Sequence, residues 1–426
     1  MKKYSEMSKT ELQSELNSLK AEYESLKNLG LNLNMARGKP GLEQLNLVNQ
    51  MNEINISNEQ YNLDGVETRN YGNLEGIPAA RKLFADILDT SPENVFVGGN
   101  ASLQLMYDII SKAYTHGLAN SPKPWCKEEK IKWLCPAPGY DRHFKITESF
   151  GFELVTVKML PDGPDMNAVE ELVKDSSVKG IWCVPKYSNP DGIVYSENTI
   201  KRLASLKPAA PDFTVMWDNA YCIHEFAGDC VPFPDILSEC EKAGNPDIVF
   251  EFASTSKVTF PGAGISCFAT SLKNLEYIKR LIGIQTIGFD KVNQLRHVLF
   301  LKDKANTLSL MKKHAAILKP KFDCVLDNLN KEIKPLGFAK WTEPKGGYFV
   351  SLYTLSGCAK RTWQLAKEAG LTMTGAGATY PYGIDPDDSN MRIAPSFPSV
   401  EELEQAMKIY CVCLKLAAAE KLAGEI

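Results

Sequence analysis

Four short segments carry residue types better suited to chemistry than to packing. In "ASTSKVTFPGAGIS", residues 253–266, a single lysine, Lys257, stands among hydroxyls, small residues and glycines. A lysine is ordinarily a solvated surface charge. Held among small apolar neighbours, its ammonium would give up a proton more readily, and its free amine could attack a carbonyl. "WDNAY" sets Asp218 shortly before Tyr221, "NPDG" holds Asn189 before Pro190, and "VGGNAS" joins an apolar run to a helical one at Ala101 and Ser102. Each has a plainer alternative: Asp218 as a helix cap, Asn189 as a turn residue, and "VGGNAS" as one of many glycine-rich connections. The N–H groups at Ala101 and Ser102 would nevertheless face an anion at a helix N-terminus, with the Ser102 hydroxyl adding a bond.

Such residues need a rigid frame. "NVFVGG", "KIKWLCPAPGY", "FELVTVKM", "VKGIWCVP", "FTVMWD", "DIVFEFAST" and "GISCFATS" are short runs rich in β-branched and aromatic residues, and they predict strands. "AARKLFADIL" and "ASLQLMYDIISKAY" read as helices between them. This alternation predicts an α/β fold with a mostly parallel central sheet between helices. Ligands of such sheets bind beyond the carboxyl ends of the strands, where Asn189, Asp218, Lys257 and Ala101–Ser102 all fall. After about residue 300 the pattern changes to a long helix expected to be interrupted at Pro320, a strand in "GGYFVSLY", and a final helix from "EELEQAM". That predicts a smaller α+β domain. Near the start, Ser8 and Glu11 fit a capping box. Leu12, Leu16, Leu19, Tyr23 and Leu26 recur at helical spacing, giving a helix expected to dock on its own core or on a second subunit. The expected division is an N-terminal helix and arm over 1–60 that joins the small domain, a large ligand-binding domain over 61–300, and the small domain over 301–426.

Composition narrows the function. The 426 residues are 44% apolar and 23% charged with a formal charge of −4, so no basic excess points to nucleic acid. No apolar run approaches the roughly 20 residues a membrane span requires, and the polar first segment is unlike a signal peptide. The 11 cysteines are scattered without metal-type CxxC pairs. They are expected to be reduced, mostly buried thiols of a cytoplasmic protein, with no metal site.

Together with "RGKP", "YGNLEG", "KVTFPGAGIS" and "DKVNQLRH", these segments resemble the fold-type I pyridoxal-phosphate aminotransferases of class I over nearly the whole chain. Within that class the resemblance is to the divergent bacterial aspartate aminotransferase subgroup. It implies that Lys257 forms the Schiff base with pyridoxal 5′-phosphate and shuttles the proton. It implies that Asp218 pairs with the pyridine nitrogen, that Tyr221 and Asn189 donate to the ring oxygen, and that Tyr140 in "PAPGYDRH" stacks on the ring. Ala101, Ser102 and Ser254 would hold the phosphate, with Ser256 a weaker candidate. Tyr71 would reach the phosphate of a neighbouring subunit, which implies a homodimer with shared sites. Arg392 in "MRIAPSF" would fork onto the substrate α-carboxylate beside Asn189 and Gly38. On residue type alone, Arg392 could equally be an exposed strand end and Tyr140 a turn residue.

The implied reaction moves an amino group between L-aspartate and 2-oxoglutarate by a ping-pong route, giving oxaloacetate and L-glutamate. Neighbouring alternatives are another amino-acid range, a β-lyase, and a regulator built on the same fold. The sequence departs from the class in one place. Many members carry an arginine a few residues past the Schiff-base lysine, but "FPGAGIS" has none. The amides of Gly262–Gly264 and the Ser266 hydroxyl are candidate substitutes for it. Candidates to read a second carboxylate are Arg37, Lys39, Arg142, Lys291 and Arg296.

Overall fold

In the computed structural model, all residues except Met1 and 229–231 are described. Eight strands form the central sheet: β1 (Val95–Val97), β2 (Lys132–Ala137), β3 (Glu153–Leu160), β4 (Gly163–Pro164), β5 (Val178–Cys183), β6 (Thr214–Asp218), β7 (Val249–Ser254) and β8 (Ser266–Thr270). Their order across the sheet is β1-β8-β7-β6-β5-β2-β3-β4. From β7 to β3 every neighbouring pair is parallel, while β8 runs antiparallel to both β7 and β1. Helices cover both faces, so the inner strands need no polar side. All of β5 and β6 is buried, which is why these segments read as unbroken apolar runs rather than alternating ones. Successive side chains of β7 enter opposite cores. Val249 and Ala253 join one cluster, and Phe250 and Phe252 join the other.

A second, three-stranded antiparallel sheet, β9 (Lys340–Trp341), β10 (Val350–Tyr353) and β11 (Asn390–Ile393), belongs to a separate apolar cluster. The helices Lys9–Lys27, Lys304–Glu332 and Val400–Ala423 pack into that cluster. The first of them docks on the chain's own core. Leu12, Leu16, Leu19, Tyr23 and Leu26 are buried against the last helix, and the Tyr23 hydroxyl donates to Leu365 O at 3.0 Å. Its capping box forms as expected, with Glu11 N donating to Ser8 Oγ and Ser8 N to Glu11 Oε2. Gly30, at φ +60°, takes the left-handed turn that follows.

The expected break at Pro320 does not occur: one helix runs through it from Lys304 to Glu332. Proline removes the N–H that would meet the carbonyl of Ala316. Ala316, Lys319 and Pro320 all lie on the exposed face, where water can take up that carbonyl. The opposite face, including Leu318, Phe322 and Val325, is buried and holds the helix in place.

Candidate functional site

Because β1, β2, β5, β6 and β7 all point the same way, their carboxyl ends share one edge of the sheet. A cavity of about 500 Å³ opens there, lined by Tyr140, Asn189, Asp218, Tyr221, Ser254, Lys257 and Arg392 among others. Ala101, Ser102 and Gly38 also line it. The structure therefore gathers nearly all the sequence-predicted site residues around one space. Among the residues given a definite role, Tyr71 is the exception: it is 81% exposed and stands outside the cavity of this chain.

Lys257 sits in the turn after β7, closed by Val258 N and Thr259 N donating to Thr255 O. Its Nζ lies 4.9 Å from the Tyr221 ring centre and 5.7 Å from that of Tyr348. Burial pushes the amine below its ordinary value, and the charge of Asp218 opposes this only in part. A buried lysine facing ring planes, with its ammonium form disfavoured, is poised as a nucleophile or base.

Asp218 ends β6. Its Oδ2 lies 2.9 Å from His143 Nε2, while its Oδ1 is buried without a partner. A buried carboxylate oxygen left unpaired is costly, so it marks a place for a donor from a bound molecule. His143 is itself stacked on Trp182, with ring centres 4.5 Å apart and 13° between planes. Sequence reasoning missed His143. The available signal was its place in "GYDRH", one helical turn past Tyr140. Tyr140 packs edge-on against His143. Its hydroxyl is pushed up to about 12 by burial, then by the charges of Asp218 and Asp141. Burial likewise raises Tyr221 well above its usual range, so it stays a donor.

The helix Ser102–His116 begins at this edge with Ala101 at its N-cap and no side chain capping it. Its first N–H groups are thus left to meet an anion. Ser254 Oγ donates to Ser256 Oγ at 3.1 Å, and both residues line the cavity beside them. The candidate substitutes for the absent arginine lie outside the cavity wall. Ser266 is buried within β8 and its hydroxyl donates to Gly98 O at 2.7 Å. Neither it nor Gly262–Gly264 lines the cavity.

Arg392 reaches in from β11, buried to 7% exposure. Nη1 donates to Asn189 Oδ1 at 3.1 Å and to Asp141 Oδ1 at 2.9 Å, and Nη2 donates to Thr374 Oγ1 at 3.2 Å. Asp141 and Thr374 are further residues the sequence reading passed over. The Asn189–Pro190 peptide is cis, as is Ala137–Pro138. A Cβ on Gly38 would lie 2.5 Å from Phe349 Cζ, so any larger residue there would force the Phe349 ring to shift. Of the candidate readers of a second carboxylate, Arg37, Lys39 and Arg142 line the cavity. Lys291 does not line it and donates to Gly72 O, and Arg296 also lies outside the lining.

A family model described as aspartate amino-transferase matches residues 7–426. The aspartate aminotransferase of Corynebacterium glutamicum is 47% identical over 406 residues, covering 95% of this chain and 94% of that protein. A solved aspartate transaminase structure from the same organism superposes with a TM-score of 0.95 at 46% identity, covering 96% of this chain and 97% of that one. LysN, an α-aminoadipate aminotransferase from Thermus thermophilus complexed with N-(5′-phosphopyridoxyl)-L-leucine, shares the fold, with a TM-score of 0.73 at 20% identity over 93% of this chain and 94% of that one.

Proposed function

The chain belongs to the aspartate aminotransferase family, and on that premise we propose that it exchanges the amino group of L-aspartate with 2-oxoglutarate, with Lys257 at the centre of the site. It is an aminotransferase, and its cofactor is pyridoxal phosphate. When bound, pyridoxal phosphate supplies an aldehyde and a protonated ring that draws electrons from the substrate α-carbon.

The residues of the cavity fit that group. Asp218 Oδ1 lacks a partner, and a ring N–H would satisfy it while His143 fixes the other oxygen. Tyr140 offers a ring to stack on, and Tyr221 and Asn189 offer donors for the ring oxygen. The uncapped helix start at Ala101 and Ser102, with the Ser254 hydroxyl, suits a phosphate. Lys257 Nζ, neutral more readily because it is buried, takes the α-proton and returns it. Arg392, with Asn189 and Gly38, holds the α-carboxylate, and Arg37, Lys39 or Arg142 meets the side-chain carboxylate. Tyr71, exposed on this chain, would complete the site of a second copy in a homodimer. Nine free cysteines among the described residues, Cys222 left aside, agree with a cytoplasmic setting.

One observation carries this reading: a depressed lysine, an unpaired buried carboxylate oxygen and a buried arginine all face a single cavity. The test mixes purified holoenzyme with one amino acid at a time, without oxo acid, and follows the cofactor absorption. The expected result is full conversion by L-aspartate and by L-glutamate. Conversion only by neutral or aromatic amino acids would overturn the substrate assignment.

A further inference from the structure

Asp141 is the first residue of the helix Asp141–Ser149 and follows Tyr140, the N-cap. Its Oδ1 accepts from Arg392 Nη1 at 2.9 Å, and both residues line the cavity. The arginine is buried, with its side chain 7% exposed, whereas the Asp141 side chain is 30% exposed. The cavity wall has two carboxylates, Asp141 and Asp218. Asp218 is tied to His143, so Asp141 alone opposes the basic wall of Arg37, Lys39, Arg142 and Arg392 from a position open to water.

We propose that Asp141 is a built-in competitor for the carboxylate seat on Arg392 and thereby sets how tightly every carboxylate substrate binds. The inference rests on Arg392 being the α-carboxylate site. A substrate carboxylate and the Asp141 carboxylate are the same ligand in chemical terms. A carboxylate prefers the planar N–H fork, Asp141 already holds Nη1 of it, and two like charges on one nitrogen repel each other. Binding is therefore an exchange in which the substrate arrives and Asp141 turns out toward solvent. Its place in the first turn of a helix lets the positive helix end stabilise it after it leaves. The observed affinity is the difference between two arginine–carboxylate interactions. The amino acid and the oxo acid share the α-carboxylate, so both bear the same penalty.

The test measures binding of succinate, an unreactive dicarboxylate, to the holoenzyme, together with steady-state kinetics for both substrates. Asp141→Asn is expected to tighten succinate binding about ten-fold, the size of one charge-assisted contact. KM for L-aspartate and for 2-oxoglutarate should fall by a similar factor, with kcat changed much less. Asp141→Ser, which keeps a good residue for the helix start, should behave alike and guards against a folding artefact. In an Arg392→Lys background the same change should give little further tightening. Weaker or unchanged succinate binding in both Asp141 variants would overturn the proposal, since Asp141 would then orient the guanidinium rather than compete for it. If Arg392→Lys alone leaves succinate binding intact, the Arg392 assignment itself falls, and this inference falls with it.

Discussion

The two ends of the central sheet treat buried charge in opposite ways. At the amino-terminal edge, Lys179 of β5 and Asp212 just before β6 form an ion pair at 2.8 Å, with side chains 4% and 0% exposed. The remaining Asp212 oxygen accepts from Ser121 Oγ at 2.7 Å and Trp125 Nε1 at 2.8 Å, and Glu128 approaches Lys179 at 3.3 Å. Asp212 is thus paired at both oxygens. At the carboxyl-terminal edge, Asp218 Oδ1 and Arg392 Nε are buried without partners, and the Lys257 amine faces aromatic rings. A cavity of about 330 Å³ also opens beside Asp212, so free volume does not distinguish the two ends. The pairing of the charged groups does. At the amino-terminal edge the buried charges close on one another and hold the fold, while at the carboxyl-terminal edge they leave polar atoms unpaired, open to something that binds.

Substitutions at the two edges should therefore fail differently. The largest effect is expected from Lys257→Ala, which should lower turnover by at least about 10⁴-fold while leaving the melting temperature of the apoprotein nearly unchanged. A variant with substantial residual turnover would break the comparison at its centre. Asp218→Asn should cost on the order of 10²–10³-fold in kcat, with the fold again intact by circular dichroism.

At the opposite edge, Asp212→Asn should destabilise the protein by about 3 kcal/mol, because it leaves the buried Lys179 ammonium with only its longer contact to Glu128. Its kcat per folded molecule should stay near wild type. A denaturant melt paired with active-site titration separates the two effects, and a catalytic defect without destabilisation would erase the distinction.

The smallest effect concerns Glu251, buried in β7, whose Oε1 accepts from Asn219 Nδ2 at 2.9 Å while Oε2 is unpaired. Burial, then the charge of Asp235, pushes its carboxyl from 4.5 up to about 8. The folded state thus keeps a proton that the unfolded chain sheds above its ordinary value. The resulting stability is fully present below about 4.5 and is lost as pH rises through about 8. Glu251→Gln cannot ionise, so between pH 6 and 8.5 it should lose a few degrees less of melting temperature than wild type. Parallel curves for the two proteins would show that Glu251 is ionised at neutral pH in the fold.

Much of this contrast is legible in the sequence. Asn189, Asp218 and Lys257 each follow an apolar strand, and a parallel sheet brings such positions to one edge. Arg392 and Tyr140 are legible only through the resemblance, because on their own an arginine before an apolar run and a tyrosine after "PG" are unremarkable. The illegible part is what comes from elsewhere in space. Asp141 and Thr374 meet Arg392 from a helix start and a distant loop. His143 reaches Asp218 across the sheet edge. No periodicity encodes these meetings. Pro320 misleads for a related reason: the rule that proline ends a helix is local, whereas the packed face that carries this helix through is tertiary.

The most direct measurement is reduction of the holoenzyme with borohydride, followed by proteolysis and mass mapping of the pyridoxyl group. The cofactor mass should be found on Lys257 alone. A pyridoxyl group on any other lysine, or none retained after reduction, would contradict the assignment of the carboxyl-terminal edge as the site of amino transfer.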